Sequence, residues 1–151
     1  MLLAYRLVKL IEKHSDGLAK ALQARLDGCD RCAAYHKNVP REEMTTVVGE
    51  IYRHLGEWLL GKSETDIETR YSAIGEKRFH QDVPLSQVLW AIALVKENLW
   101  AYIKDNNVME RPAEIFGELE MLALLDQFID RAMYYAAVGY ERAQNAGRQK
   151  A

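Results

Sequence analysis

Apolar residues recur at helical spacing along almost the whole chain, and no strand-like alternation competes with them. Leu3, Leu7, Leu10 and Ile11 make a first stripe, interrupted at His14-Ser15-Asp16-Gly17. Leu18, Leu22 and Leu26 resume it until Asp27-Gly28. A short helix over Cys29 to His36 follows, closed by Asn38-Val39-Pro40. Arg41 to Leu60 reads as one amphipathic helix. Its apolar face is Met44, Val47, Val48, Ile51, Leu55, Trp58 and Leu59, and Gly61 is placed to end it. Ser63 with Asp66, or Thr65 with Glu68, can cap the next helix. That helix runs through Ile67, Tyr71, Ile74 and Arg78 to about Gln81.

Asp82-Val83-Pro84 is a turn, because a proline pushes the residue before it out of the helical region. Pro84 can itself start a helix. Val88, Ile92, Val95 and Leu99 form the main stripe of that helix, and Leu89, Trp90, Ala93, Leu94 and Trp100 widen the apolar arc. So wide an arc predicts a central helix covered on two sides. Asp105-Asn106-Asn107 ends it, and Pro112 opens the last helix. The last stripe is Ile115, Leu119, Leu122, Leu125, Ile129, Ala132, Ala136 and Tyr140, ending near Ala143. A helix of roughly 30 residues is long for a globular protein and can reach a partner or an adjoining module. The pattern predicts a single all-α domain over residues 1–143, of about five to seven helices, with 144–151 as a flexible tail or the start of a linker.

The 151 residues carry 22 acidic and 20 basic side chains, a net charge of -2. That balance leaves no basic stripe for nucleic acid. No run approaches the roughly 20 uncharged apolar residues of a membrane span. Arg6, Lys9, Glu12 and Lys13 break up the N-terminal apolar run, which argues against a signal peptide. With two cysteines and no export signal, the expected compartment is the reducing cytoplasm.

Cys29 and Cys32 with His36 form the sharpest metal-like pattern, since on a helix the three share one face. They supply three of the four ligands that zinc usually takes, with no second pair to complete the set. Two small, partly buried cysteines on a helix are the plainer explanation. Glu50 precedes His54 by four residues, and Glu76 precedes His80 by four. Di-iron bundles place glutamate and histidine three apart, so helix-surface contacts account better for these pairs. Asp126 and Asp130 lie one turn apart, on what reads as a solvated face balanced by Arg131. An enzyme using Asp126 or Glu76 as acid or base would lack any supporting motif. No cofactor is expected.

The twenty residues from Tyr71 to Trp90, YSAIGEKRFHQDVPLSQVLW, join two helices through a short corner. They resemble the Y-x-x-x-G-x-x-R-x-x-x-G-x-P-L-x-x-V corner of RsbR/RsbRD-type N-terminal domains. That resemblance implies a globin-like or related helical bundle. It also implies a non-enzymatic sensory or regulatory head without haem, on a stressosome co-antagonist or before a histidine kinase or other output module. Asp82 stands where the pattern prefers glycine. The corner is also similar to the I-G-x-x-H signature of globin-coupled sensors, which begins at Ile74-Gly75. The haem-binding histidine position then falls on Arg78, which only donates hydrogen bonds and cannot ligate iron. His80 lies about 200° around the helix. A haem- or metal-binding sensor using His54, His80 or the cysteine cluster is the alternative.

Tyr71, Gly75, Arg78, Pro84 and Leu85 therefore form the candidate corner, either ligand-binding or structural. Arg78 would either hold an anionic ligand or pair with Glu76, Asp82 or a carbonyl at the Pro84 turn. Met133, Tyr134, Tyr135 and Ala137 are candidate contacts of a homodimer.

Overall fold

The computed structural model describes residues 2–105 and 112–150, with side chains from residue 5 to 105 and from 119 to 149. Among these residues the protein is an all-α bundle. Its helices are α1 (Leu2–Glu12), α2 (Ser15–Asp27), α3 (Ala33–Asn38), α4 (Arg41–Arg53), α5 (Glu64–His80), α6 (Leu85–Asp105) and α7 (Pro112–Lys150). The side chains of Leu3 and Ile115, and the break at Asn106-Asn107, lie outside the described residues.

The local signals explain most boundaries. Ser63 and Asp66 form a reciprocal capping box at the start of α5: the Asp66 amide donates to Ser63 Oγ at 3.2 Å, and the Ser63 amide donates to Asp66 Oδ2 at 2.9 Å. The segment from Cys29 begins as a 3-10 turn, Asp30–Cys32, before α3. The expected single helix over 41–60 breaks instead at His54, and a π-helical turn, Glu57–Gly61, follows. The break re-aims Trp58. Its ring stacks on Phe128 with centroids 5.7 Å apart and meets Tyr71 edge-on, geometries that aromatic quadrupoles favour. At the other end of the chain, α7 continues to Lys150 rather than ending near Ala143.

Two helix groups share α6. It packs against α2 on one side and α7 on the other, as its wide apolar arc predicts. Buried Val88, Ala91, Leu94, Val95, Leu99 and Ile103 face these neighbours. Trp90 is 37% exposed instead, with the Arg31 guanidinium over its ring. Asn98 sits in the buried face at 1% exposure. Its Nδ2 donates to the Leu18 carbonyl and to the Tyr52 hydroxyl, and its Oδ1 accepts from Arg25 Nε. Tyr52 in turn donates to the Val95 carbonyl. The buried polar atoms of Asn98 and Tyr52 thus have their partners.

The most extensive pairing is α5 against α7. Contacts climb together from Glu64 with Arg131 to Phe79 with Tyr140, so the two helices run parallel. They touch backbone to backbone. A methyl group at Gly75 would strike the Ala136 carbonyl, and one at Gly139 would strike that of Ser72. Neither obstacle is a flexible side chain, so the helices would have to part.

Gly139→Ala should therefore destabilise the protein by about 2 kcal/mol or more, despite alanine's better helix propensity. Gly147→Ala is the control in the same helix, because the nearest atom there is Phe79 Cζ at 3.8 Å. It should leave stability unchanged or raise it by up to ~1 kcal/mol. Thermal unfolding followed by circular dichroism reads both signs.

Candidate functional site

The corner between α5 and α6 closes on two backbone bonds. The Val83 amide donates to the Arg78 carbonyl and the Asp82 amide to that of Phe79, both at 3.1 Å, which is the Schellman arrangement. Such a closure requires a left-handed residue, and Asp82 supplies it with φ 59°. That is the position where the corner pattern prefers glycine. Val83 is fully buried beneath the turn, and its carbonyl accepts from the Tyr140 hydroxyl at 2.8 Å. The corner is thereby tied to α7. Tyr71 and Gly75 are buried, Leu85 is half-buried and Pro84 is exposed.

Arg78 is 2% exposed. Its partners are not Glu76, Asp82 or the Pro84 turn. Nη1 donates to Glu43 Oε1 at 2.6 Å and to Gln81 Oε1 at 2.8 Å, and Nη2 lies 3.6 Å from Met44 Sδ. Its guanidinium also faces the Tyr35 ring. Glu43 comes from α4, 35 residues away, so one charged pair clamps α4 to the corner. Gln81 Nε2 and Lys77 Nζ bind the same carboxylate. Partial burial pushes the Glu43 carboxyl up, but the bonds from Arg78, Lys77 and Gln81 outweigh this and hold it below its ordinary range. Burial pushes the Tyr35 phenol up to about 12, against the opposing pull of Arg78. Arg78 Nε is buried without a hydrogen-bond partner.

The other candidates are not gathered here. His54 and His80 are both exposed, the former 3.7 Å from Glu57 and the latter against Phe79. Glu50 pairs with Arg70 rather than with His54. Cys32 is buried and Cys29 half-buried. Desolvation, together with a hydrogen bond to Cys29, raises the Cys32 thiol to about 12. His36 Nε2 meets the Leu26 carbonyl at 2.9 Å. Among the described residues, no three metal-ligating side chains converge on one point. Asp126 lies 3.1 Å from Lys96, and Glu76 and Asp130 are exposed. Arg131 binds Glu64 instead of balancing the two aspartates.

Along α7, Met133 packs against the core, Tyr135 donates to Glu64 Oε1, Ala137 is half-buried and Tyr134 is 64% exposed. Leu119, expected in the buried stripe, is 58% exposed, and Met121 and Phe128 take core positions instead. Glu43, Gln81, Asn98 and Gly139 were not singled out by the sequence reading. Asn98 carried a signal, as a lone amide at helical spacing on an apolar face. Glu43 carried none, because its partner is distant in sequence.

No described helix is long and apolar enough to cross a membrane. Residues 15–150 match the family described as the RsbT co-antagonist protein rsbRD N-terminal domain, and the chain belongs to that family. The match begins at the first residue of α2. No curated protein and no solved structure matches the chain.

Asp82→Gly should stabilise the fold by about 1 kcal/mol, since glycine adopts the left-handed region without strain. A rise in chemical-denaturation midpoint at unchanged slope is the expected readout. Glu43 predicts an acid sensitivity. Its folded pKa lies below the unfolded value, so its contribution is present above the ordinary glutamate range near ~4.3. That contribution is lost as pH falls through the lower folded value. Glu43→Gln should cost about 1–3 kcal/mol at neutral pH, by leaving Arg78 uncompensated. It should also flatten the fall in stability below pH ~4.3, measured by urea titrations at several pH values.

Proposed function

We propose that this chain is a non-enzymatic sensory head of the stressosome type, which acts on a signalling partner by repacking α7 against the rest of the bundle. Its family supports the regulatory role. The observation that carries the mechanism is the reach of α7. This one helix of 39 residues packs on α1, α5 and α6 and on the π-helical turn. A change in any of these packings therefore bears on it. Interfaces of tightly packed helices switch between discrete arrangements rather than deforming smoothly.

The same helix is the proposed homodimer surface. Leu119 and Tyr134 are both exposed. They lie fifteen residues apart, which puts them within about 60° of each other around the helix. Ala137 falls on the same side. Of the four candidate contacts, Tyr134 and Ala137 form this face, whereas Met133 packs against the core and Tyr135 turns to Glu64 of α5. Aromatic side chains of this kind are typical interface anchors.

Light scattering on the purified chain should return twice the monomer mass. Tyr134→Glu should return the monomer mass with an unchanged circular dichroism spectrum, because Tyr134 contributes little to the core. A wild-type chain that stays monomeric at high concentration contradicts the dimer reading.

A further inference from the structure

One pair of thiols lies outside both the corner and the proposed dimer face. Cys29 and Cys32 bracket a 3-10 turn, in which the Cys32 amide donates to the Cys29 carbonyl at 3.1 Å. A turn closed by such a bond holds its outer Cα atoms within about 7 Å of each other, the limit for bridging two cysteines without moving the backbone. Side chains three residues apart in a 3-10 turn also lie on one side of it. The thiols use that placement, because Cys32 hydrogen-bonds to Cys29. The bond raises the Cys32 thiol, so Cys32 is the donor and Cys29 Sγ the acceptor.

The two sulfurs are not equivalent. Cys29 is half-buried and reaches the surface, whereas Cys32 is fully buried. A reagent in solvent therefore meets Cys29 first. Burial and the bond to Cys29 keep the proton on Cys32, whose thiol is pushed up to about 12. The thiolate is the attacking form of a cysteine, so Cys29 is the sulfur that exchanges and Cys32 the one placed to resolve the product. A metal accounts for the pair less well. His36, the third residue of the pattern, directs Nε2 to the Leu26 carbonyl, and its Nδ1 lies 3.7 Å from Asp27.

We propose that Cys29 and Cys32 form a reversible dithiol–disulfide site that exchanges with small, soluble disulfides. The Cys29 thiolate attacks one sulfur of the small disulfide and expels a thiolate, which takes up the proton that Cys29 shed. Cys32 then attacks the Cys29 sulfur of the mixed disulfide and expels the second thiolate, which takes the Cys32 proton. The protein loses two electrons and two protons, and the small disulfide leaves as two thiols. The site borders α6. Arg31, between the two cysteines, lays its guanidinium 4.6 Å from the centre of the Trp90 ring, and the Ala34 amide donates to Gln87 Oε1 at 2.9 Å. A change in the turn on closure is thereby felt by the helix that packs on α7. The thiol chemistry goes beyond the function proposed above and does not rest on it, since its test reads neither dimer nor partner.

The test incubates the reduced full chain with oxidised glutathione at neutral pH, then alkylates the remaining thiols in denaturant and weighs the products by mass spectrometry. The wild-type chain should lose both alkylatable thiols, weigh two hydrogens less and retain no glutathione, and dithiothreitol should restore both thiols. Cys32→Ala should stop with one glutathione on Cys29. Cys29→Ala should lose the reaction while circular dichroism reports a folded chain. A wild-type chain that keeps both thiols, accumulates a glutathione adduct, links to a second chain or resists dithiothreitol would overturn the proposal. So would a folded Cys29→Ala chain that takes up glutathione as fast as the wild type. The wild-type outcomes stand without either variant.

Discussion

The backbone contact between α5 and α7 is the constraint on which the remaining packing depends. Two helices can approach this closely only where neither carries a Cβ at the crossing, and Gly75 and Gly139 meet that condition from opposite sides. Once the axes are fixed there, residues further along α5 have little freedom. Tyr71, one turn before, is set against Trp58 and Phe128. Arg78, one turn after, is carried into the interior, where an arginine persists only if paired. Glu43 supplies the pair, and α4 is thereby drawn to the corner. Tyr140 then closes the circuit by binding the Val83 carbonyl from α7.

In the proposed function, this hierarchy is what makes α7 the transmitting element. A regulatory domain needs an element that several parts of the core can bias, and α7 is contacted by three other helices and the π-helical turn. It also needs a surface through which the bias is read, which the exposed side of α7 can offer. The buried arginine ties α4 to the same part of the fold. Its guanidinium is held on three sides by Glu43, Gln81 and Met44, with Nε left over.

Much of this was legible in the sequence, for local reasons. Capping by Ser63 and Asp66, the break before α2, and the turn at Pro84 are each decided within a few residues. The twenty-residue corner was legible through its resemblance to a family pattern, whereas the close approach at Gly75 and the left-handed Asp82 emerged only in the structure. What stayed hidden was decided between distant elements. The partner of Arg78 lies 35 residues upstream, and nothing in the pattern distinguishes Glu43 from its neighbour Glu42. Gly139 reads as one more small residue in an alanine-rich stretch until Ser72 is placed against it. The same holds for Leu119, which follows the apolar period yet faces outward, because that period fixes a stripe without fixing how much of it the neighbours cover. The helix over 41–60 failed at His54 for a related reason. Beyond the break Trp58 packs with Tyr71 and Phe128, and no local residue reveals those partners.

Native-state amide hydrogen exchange tests the primacy of the α5–α7 crossing most directly. If the crossing organises the fold, the slowest amides lie around Tyr71–Arg78 in α5 and Leu125–Gly139 in α7, and both stretches open together with the global unfolding free energy. Protection concentrated instead in α2 and α6, with α7 opening on its own at lower cost, would contradict the account.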